Sequence, residues 1–82
     1  MEPLIFYTTL GCHLCEQGIE LVDQVLADNA FNNRFEFLEQ DIAEDDQLIE
    51  RYGVRIPVLR RPEQDSELGW PFDINNLAVF LK

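Results

Sequence analysis

The chain has 82 residues, 46% of them hydrophobic, enough for one small domain spanning 1–82 and too few for a second core. Sixteen acidic side chains against six basic ones give a formal net charge of -10, a field that repels nucleic acid and anionic membrane surfaces. The apolar runs are only a few residues long, and Met1-Glu2-Pro3-Leu4 lacks a basic start, so neither a membrane span nor an export signal is expected. The expectation is a cytoplasmic protein whose partners, if charge selects them, are basic.

Leu4-Ile5-Phe6-Tyr7, inside a run from Pro3 to Thr8, is too short for a helix and predicts a first strand, followed by a loop from Thr8 to Gly11. From Cys12 onward Leu14, Gly18, Leu21, Val22 and Val25 recur at spacings of three and four, which predicts a helix ending around Asp28 to Ala30. Asn32-Asn33 breaks that pattern, and Arg34 to Glu39 alternates as a second strand that Asp41 closes. Ala43 to Tyr52 reads as a second helix with Leu48, Ile49 and Tyr52 inward and Gly53 as a left-handed C-terminal cap.

Val54 to Leu59 is strand-like but carries Pro57, which would forfeit a ladder bond in a central strand. Arg60 to Ser66 suggests a hairpin turn, Glu67 to Trp70 a short fourth strand, and Asp73 the N-cap of a last helix built on Ile74, Leu77, Ala78 and Leu81 and running to Lys82. The order β-α-β-α-β-β-α predicts an α/β fold. Right-handed crossover makes the first two strands parallel, and the hairpin adds antiparallel strands, giving a mixed four-stranded sheet with helices on both faces.

The only cysteines, Cys12 and Cys15, form a CxxC where strand gives way to helix. A disulfide across so short a loop is a poor staple, whereas two sulfurs on one turn can exchange a disulfide with each other and with a third partner. Unpaired N–H groups and the helix dipole favour a thiolate at Cys12, the candidate nucleophile, while Cys15, one turn further in, is placed to resolve the mixed disulfide. His13, if protonated, would stabilise that thiolate and tune the site. Zinc wants four ligands and only His13 could add one, so no metal site within one chain is assigned; a zinc or iron-sulfur site shared across a dimer is the metal alternative to a monomer.

Three stretches in order, Leu10-Gly11-Cys12-His13-Leu14-Cys15-Glu16, Tyr52-Gly53-Val54-Arg55-Ile56-Pro57-Val58-Leu59 and Trp70-Pro71-Phe72-Asp73, resemble the small glutaredoxin-like family of the thioredoxin fold. The resemblance implies a three-layer thioredoxin-like domain, a dithiol-disulfide oxidoreductase with Cys12 attacking and Cys15 resolving, and no resident cofactor. It makes Pro57 a cis-proline against the CxxC, where the residues alone would favour trans, and it assigns substrate binding to Ile56, Pro57 and Asp73. The implied partners are a disulfide-containing protein or glutathione as co-substrate. Glutaredoxins commonly carry a lysine shortly before the CxxC; Thr8-Thr9-Leu10-Gly11 has no cation, which leaves Arg55, Arg60 and Arg61 as candidate substitutes. The remaining alternative is a thioredoxin-fold binding or assembly module without catalysis.

Overall fold

The computed structural model describes residues 1–31 and 33–82. Strand β1, Glu2–Thr8, lies inside the sheet between β2, Phe35–Asp41, and β3, Val58–Arg61, and β4, Ser66–Gly69, forms the far edge, giving the order β2-β1-β3-β4. β1 and β2 are parallel from Glu2 opposite Phe35 to Thr8 opposite Asp41, while β3 is antiparallel to both β1 and β4. This is the mixed α/β sheet the sequence predicts.

Alternation along the strands sorts the core into two faces. Leu4, Phe6 and Leu59 join one cluster with Cys15, Val22 and Val25 of helix α1, His13–Leu26, and Leu77 of α3, Ile74–Phe80. Tyr7 and Val58 turn the other way to meet Ile42 and Tyr52, the last residue of α2, Asp46–Tyr52. Helices therefore cover both faces, α1 and α3 on one and α2 on the other.

Several boundaries differ from the sequence reading for local reasons. Helix α1 stops at Leu26, and the following N–H groups bond back as tight turns, Ala27 to Asp23 O and Asp28 to Val25 O. Of the expected Asn32-Asn33 break, Asn33 takes a φ of 66°, and Asn32 lies outside the described residues. The second helical stretch begins as a 3₁₀ turn, Ile42–Glu44, and restarts at Asp46 with Asp45 as N-cap. That restart keeps Tyr52 buried and Leu48 half-buried but leaves Ile49 43% exposed rather than inward.

Gly53 is not the left-handed cap expected: its φ and ψ are -52° and -37°, and a side chain there would bring its Cβ 2.5 Å from the Ile49 carbonyl oxygen. Glycine is needed there for space rather than handedness. β3 begins at Val58 instead of Val54, because the N–H groups of Arg55 and Ile56 both bond the Tyr52 carbonyl and carry the chain through a turn.

Candidate redox site

Gly11, at a φ of +78°, makes the left-handed bend that turns the chain from the β1 loop into α1. Cys12 is consequently the N-cap and not a residue of the first turn: its backbone is extended, its carbonyl accepts from Glu16 N, and its Sγ accepts from Cys15 N at 3.1 Å. Cys12 and Cys15 are joined as a disulfide, with Cα atoms 5.2 Å apart. The two sulfurs have unlike surroundings. Cys12 is half-buried at the edge of the core, whereas Cys15 is 2% exposed among Leu4, Phe6 and Val22.

The N-cap position sets Cys12 Sγ at the positive end of the helix dipole, with the Cys15 N–H directed at it. His13 opens α1 with its imidazole almost wholly exposed, Nδ1 3.6 Å from Glu16 Oε2. Leu10, two residues before Cys12, and Leu14, between the two cysteines, are exposed apolar side chains.

The Ile56–Pro57 peptide bond is cis, and Pro57 is fully buried. Pro57 meets α1 at Gly18, where an added Cβ would stand 3.2 Å from Pro57 Cγ and 3.3 Å from Phe6 Cζ. Gly18 lies three residues beyond Cys15 and so on the same helical face, which puts the Pro57 loop beside the disulfide end of the core. The Ile56 N–H is taken by Tyr52 O at 3.1 Å, so a peptide pairing with this residue has the carbonyl to use. We expect Gly18→Val to overpack this seam and lower stability by about 2 kcal/mol, read as a lower urea midpoint at unchanged slope.

Trp70 N donates to Pro57 O at 3.1 Å, and the indole packs edge-on against Phe72, centroids 5.0 Å apart. The Trp70–Pro71 bond is also cis, which the sequence reading did not anticipate. Asp73 caps α3 in a reciprocal box: its Oδ1 accepts from Asn76 N at 2.8 Å, and its N–H donates to Asn76 Oδ1.

The three arginines do not supply the groove with a free cation. Arg55 and Arg60 both bond Glu67, Arg60 also bonds Asp65, and Tyr52 Oη donates to Glu67 Oε2. Burial pushes the Glu67 carboxyl up, but the bonds from Tyr52 and Arg55 and the charges of Arg55 and Arg60 outweigh it and hold it below its ordinary value. Burial and the bond to Glu67 push the Tyr52 hydroxyl up to about 12. Arg61 is buried at the opposite pole, bonded to Glu2 at the start of β1, about 20 Å from the β1 end that leads to Cys12 at a strand rise of about 3.3 Å per residue. Sequence spacing held no sign of this tyrosine–glutamate–arginine cluster, whose members lie 7 to 15 residues from the Glu67 they share.

Among the described residues no three His, Cys, Asp or Glu side chains form a group that could hold a metal ion, and no helix is long and apolar enough to cross a membrane. A cleft of about 290 Å³ that the sequence did not announce opens beside the loop leading to Cys12, lined by Thr8, Thr9, Leu10, Ile19, Glu39, Asp41 and Glu44.

The model of the glutaredoxin-like domain family (DUF836) matches residues 3–82. The chain belongs to that family. Among solved structures, this glutaredoxin-like chain is similar to the structural-genomics target XcR50 from X. campestris, at 38% identity and a TM-score of 0.79 in its X-ray form, over 95% of this chain and 93% of that one. The solution structure of XcR50 gives 38% and 0.78 over 99% and 92%. Protein Ne2328 from Nitrosomonas europaea gives 28% identity and 0.77 over 99% and 92%. No curated protein matches the glutaredoxin-like chain.

Proposed function

We propose that the protein is a dithiol-disulfide oxidoreductase with Cys12 as the nucleophile and Cys15 as the resolving thiol. The observation that carries this reading is the disulfide between an accessible N-cap cysteine and a buried cysteine one turn inside, within a glutaredoxin-like domain. In the reduced protein the Cys12 thiolate attacks one sulfur of a substrate disulfide, forming a mixed disulfide, and the other substrate sulfur leaves as a thiolate that takes a proton from water. Cys15 then loses its proton, attacks Cys12 Sγ, releases the second substrate thiol and closes the Cys12–Cys15 bond. Two electrons pass from the protein dithiol to the substrate, and the reverse sequence oxidises a substrate dithiol.

Burial keeps Cys15 from outside disulfides while the helical turn holds it within reach of Cys12, so the second step is intramolecular and fast. The test is trapping. Reduced Cys15→Ser, mixed with a neutral small disulfide such as hydroxyethyl disulfide, is expected to accumulate a Cys12 adduct seen by intact mass, with the wild-type protein passing directly to its intramolecular disulfide. Absence of any adduct at Cys12 would refute the exchange reading. In that case bound zinc or visible absorbance in a dimer would favour a shared metal site instead, and a metal-free, unreactive chain would favour a binding module.

A further inference from the structure

The geometry points to a charge preference in the substrate: the Cys12–Cys15 site exchanges with disulfides carried by cationic polypeptides in preference to anionic disulfides such as glutathione disulfide. This rests on the exchange reading above and names the substrate class for that same site. Three features of the surface around the disulfide support it.

The first is where the basic side chains are. Arg55 and Arg60 are neutralised by Glu67 and Asp65, and Arg61 by Glu2. Arg34 bonds Ala30 O and lies against Phe31 and Phe35, by the start of β2. Arg51 lies over the Tyr52 ring, and Lys82 ends the chain beside Arg61, which bonds its carbonyl. An anionic disulfide approaching Cys12 therefore meets the field of a chain with a net charge of -10 and no uncompensated cation on the loop that leads there.

The second is the cleft. Its near wall, Thr8-Thr9-Leu10, runs directly into Gly11 and Cys12, and its far wall is Glu39, Asp41 and Glu44. The parallel register, Phe6 opposite Glu39 and Thr8 opposite Asp41, brings the carboxylates of β2 to the end of the sheet from which the Cys12 loop departs. None of the lining residues is basic, and at about 290 Å³, the lower end of the range of about 300–1,000 Å³ for clefts that hold ligands, the space has room for a long side chain.

The third is the apolar contact at the disulfide itself. Leu10, 91% exposed, lines the cleft two residues before Cys12, and Leu14, also exposed, lies in the helical turn between the two cysteines. Together they offer a polypeptide a dry contact at the reacting sulfur with a carboxylate-lined slot alongside, so a lysine or arginine near the substrate cysteine has its counter-charge in reach. Charge complementarity of this kind raises association rates by factors of about 10 to 1,000 and weakens with salt.

The experiment is single-turnover exchange by the fully reduced protein, prepared with dithiothreitol and desalted, against three matched peptide disulfides flanked by lysine, by glutamate or by neutral residues. Glutathione disulfide is run alongside. The lysine peptide is expected to react at least about tenfold faster than the glutamate peptide at low ionic strength, with glutathione disulfide grouping with the latter, and the ratio is expected to shrink at least about threefold in 0.5 M salt. Glu39→Gln/Glu44→Gln is expected to lower the ratio about threefold. Glu36→Gln/Glu63→Gln, with the same change in net charge away from the cleft, is expected to lower it by less than half that factor. Equal rates for the two charged peptides or a ratio indifferent to salt would overturn the charge preference while leaving exchange intact, and equal losses in the two double variants would overturn the role given to the cleft carboxylates. Failure of even the neutral peptide to react overturns the exchange reading and this inference with it.

Discussion

Cys12→Ser is expected to reduce disulfide-exchange activity by at least about a thousandfold, measured as turnover of a neutral disulfide with excess dithiol. The structure gives the reason. A serine hydroxyl at the N-cap still accepts the Cys15 N–H, so α1 should keep its start and the fold its stability, but an alcohol is not ionised near neutral pH and is a far weaker nucleophile than a thiolate. Far-ultraviolet circular dichroism should therefore be unchanged while exchange is lost. Alkylation of wild-type Cys12 followed against pH should give a thiol pKa below the free value of about 8.5. Retention of exchange by Cys12→Ser would place the chemistry elsewhere.

Arg61→Met is the largest stability effect expected, about 3 kcal/mol, read as a lower midpoint in urea. Arg61 is 6% exposed, and its guanidinium makes a two-pronged contact with Glu2, at 2.8 Å to each carboxylate oxygen, while Nη1 donates to the carbonyls of Phe80 and Lys82. Methionine fills the space among Phe35 and Phe80 but leaves a half-buried carboxylate and two carbonyls without their donor. The same contact sets a pH dependence. The bond from Arg61 holds the Glu2 carboxyl below its ordinary value, against the opposing pull of burial and aided by the charges of Arg61 and Arg34. A lowered folded pKa stabilises the protein above the unfolded value, near 4.5, and that contribution is lost as pH falls through the folded one. Glu2→Gln should flatten this part of the acid limb, and an unchanged limb would contradict the assignment.

Most of the architecture was legible because it follows from short-range pattern. The three- and four-residue spacing from Leu14 to Val25, the short apolar run in β1 and the aspartate before Ile74 each encode an element in adjacent residues. Val54-Arg55-Ile56 misled because a turn that bonds back to Tyr52 O has the same residue types as a strand. Ile49 misled because a 3₁₀ turn ahead of α2 shifts the phase at which an apolar residue faces inward. The cysteine pair could be read as a site because its spacing is itself the chemistry. The arginines could not be placed, because their partners lie as far as 59 residues away and only the folded sheet brings them together.

The Arg61 clasp also decides how this domain can be attached to anything else. One guanidinium reaches the second residue and the carbonyl of the last, so the two ends of the described chain emerge side by side. They do so at the pole remote from the disulfide. A tether, surface anchor or host protein joined at either end, or the domain inserted whole into a host loop through both, would leave Cys12 facing outward with its approach unobstructed.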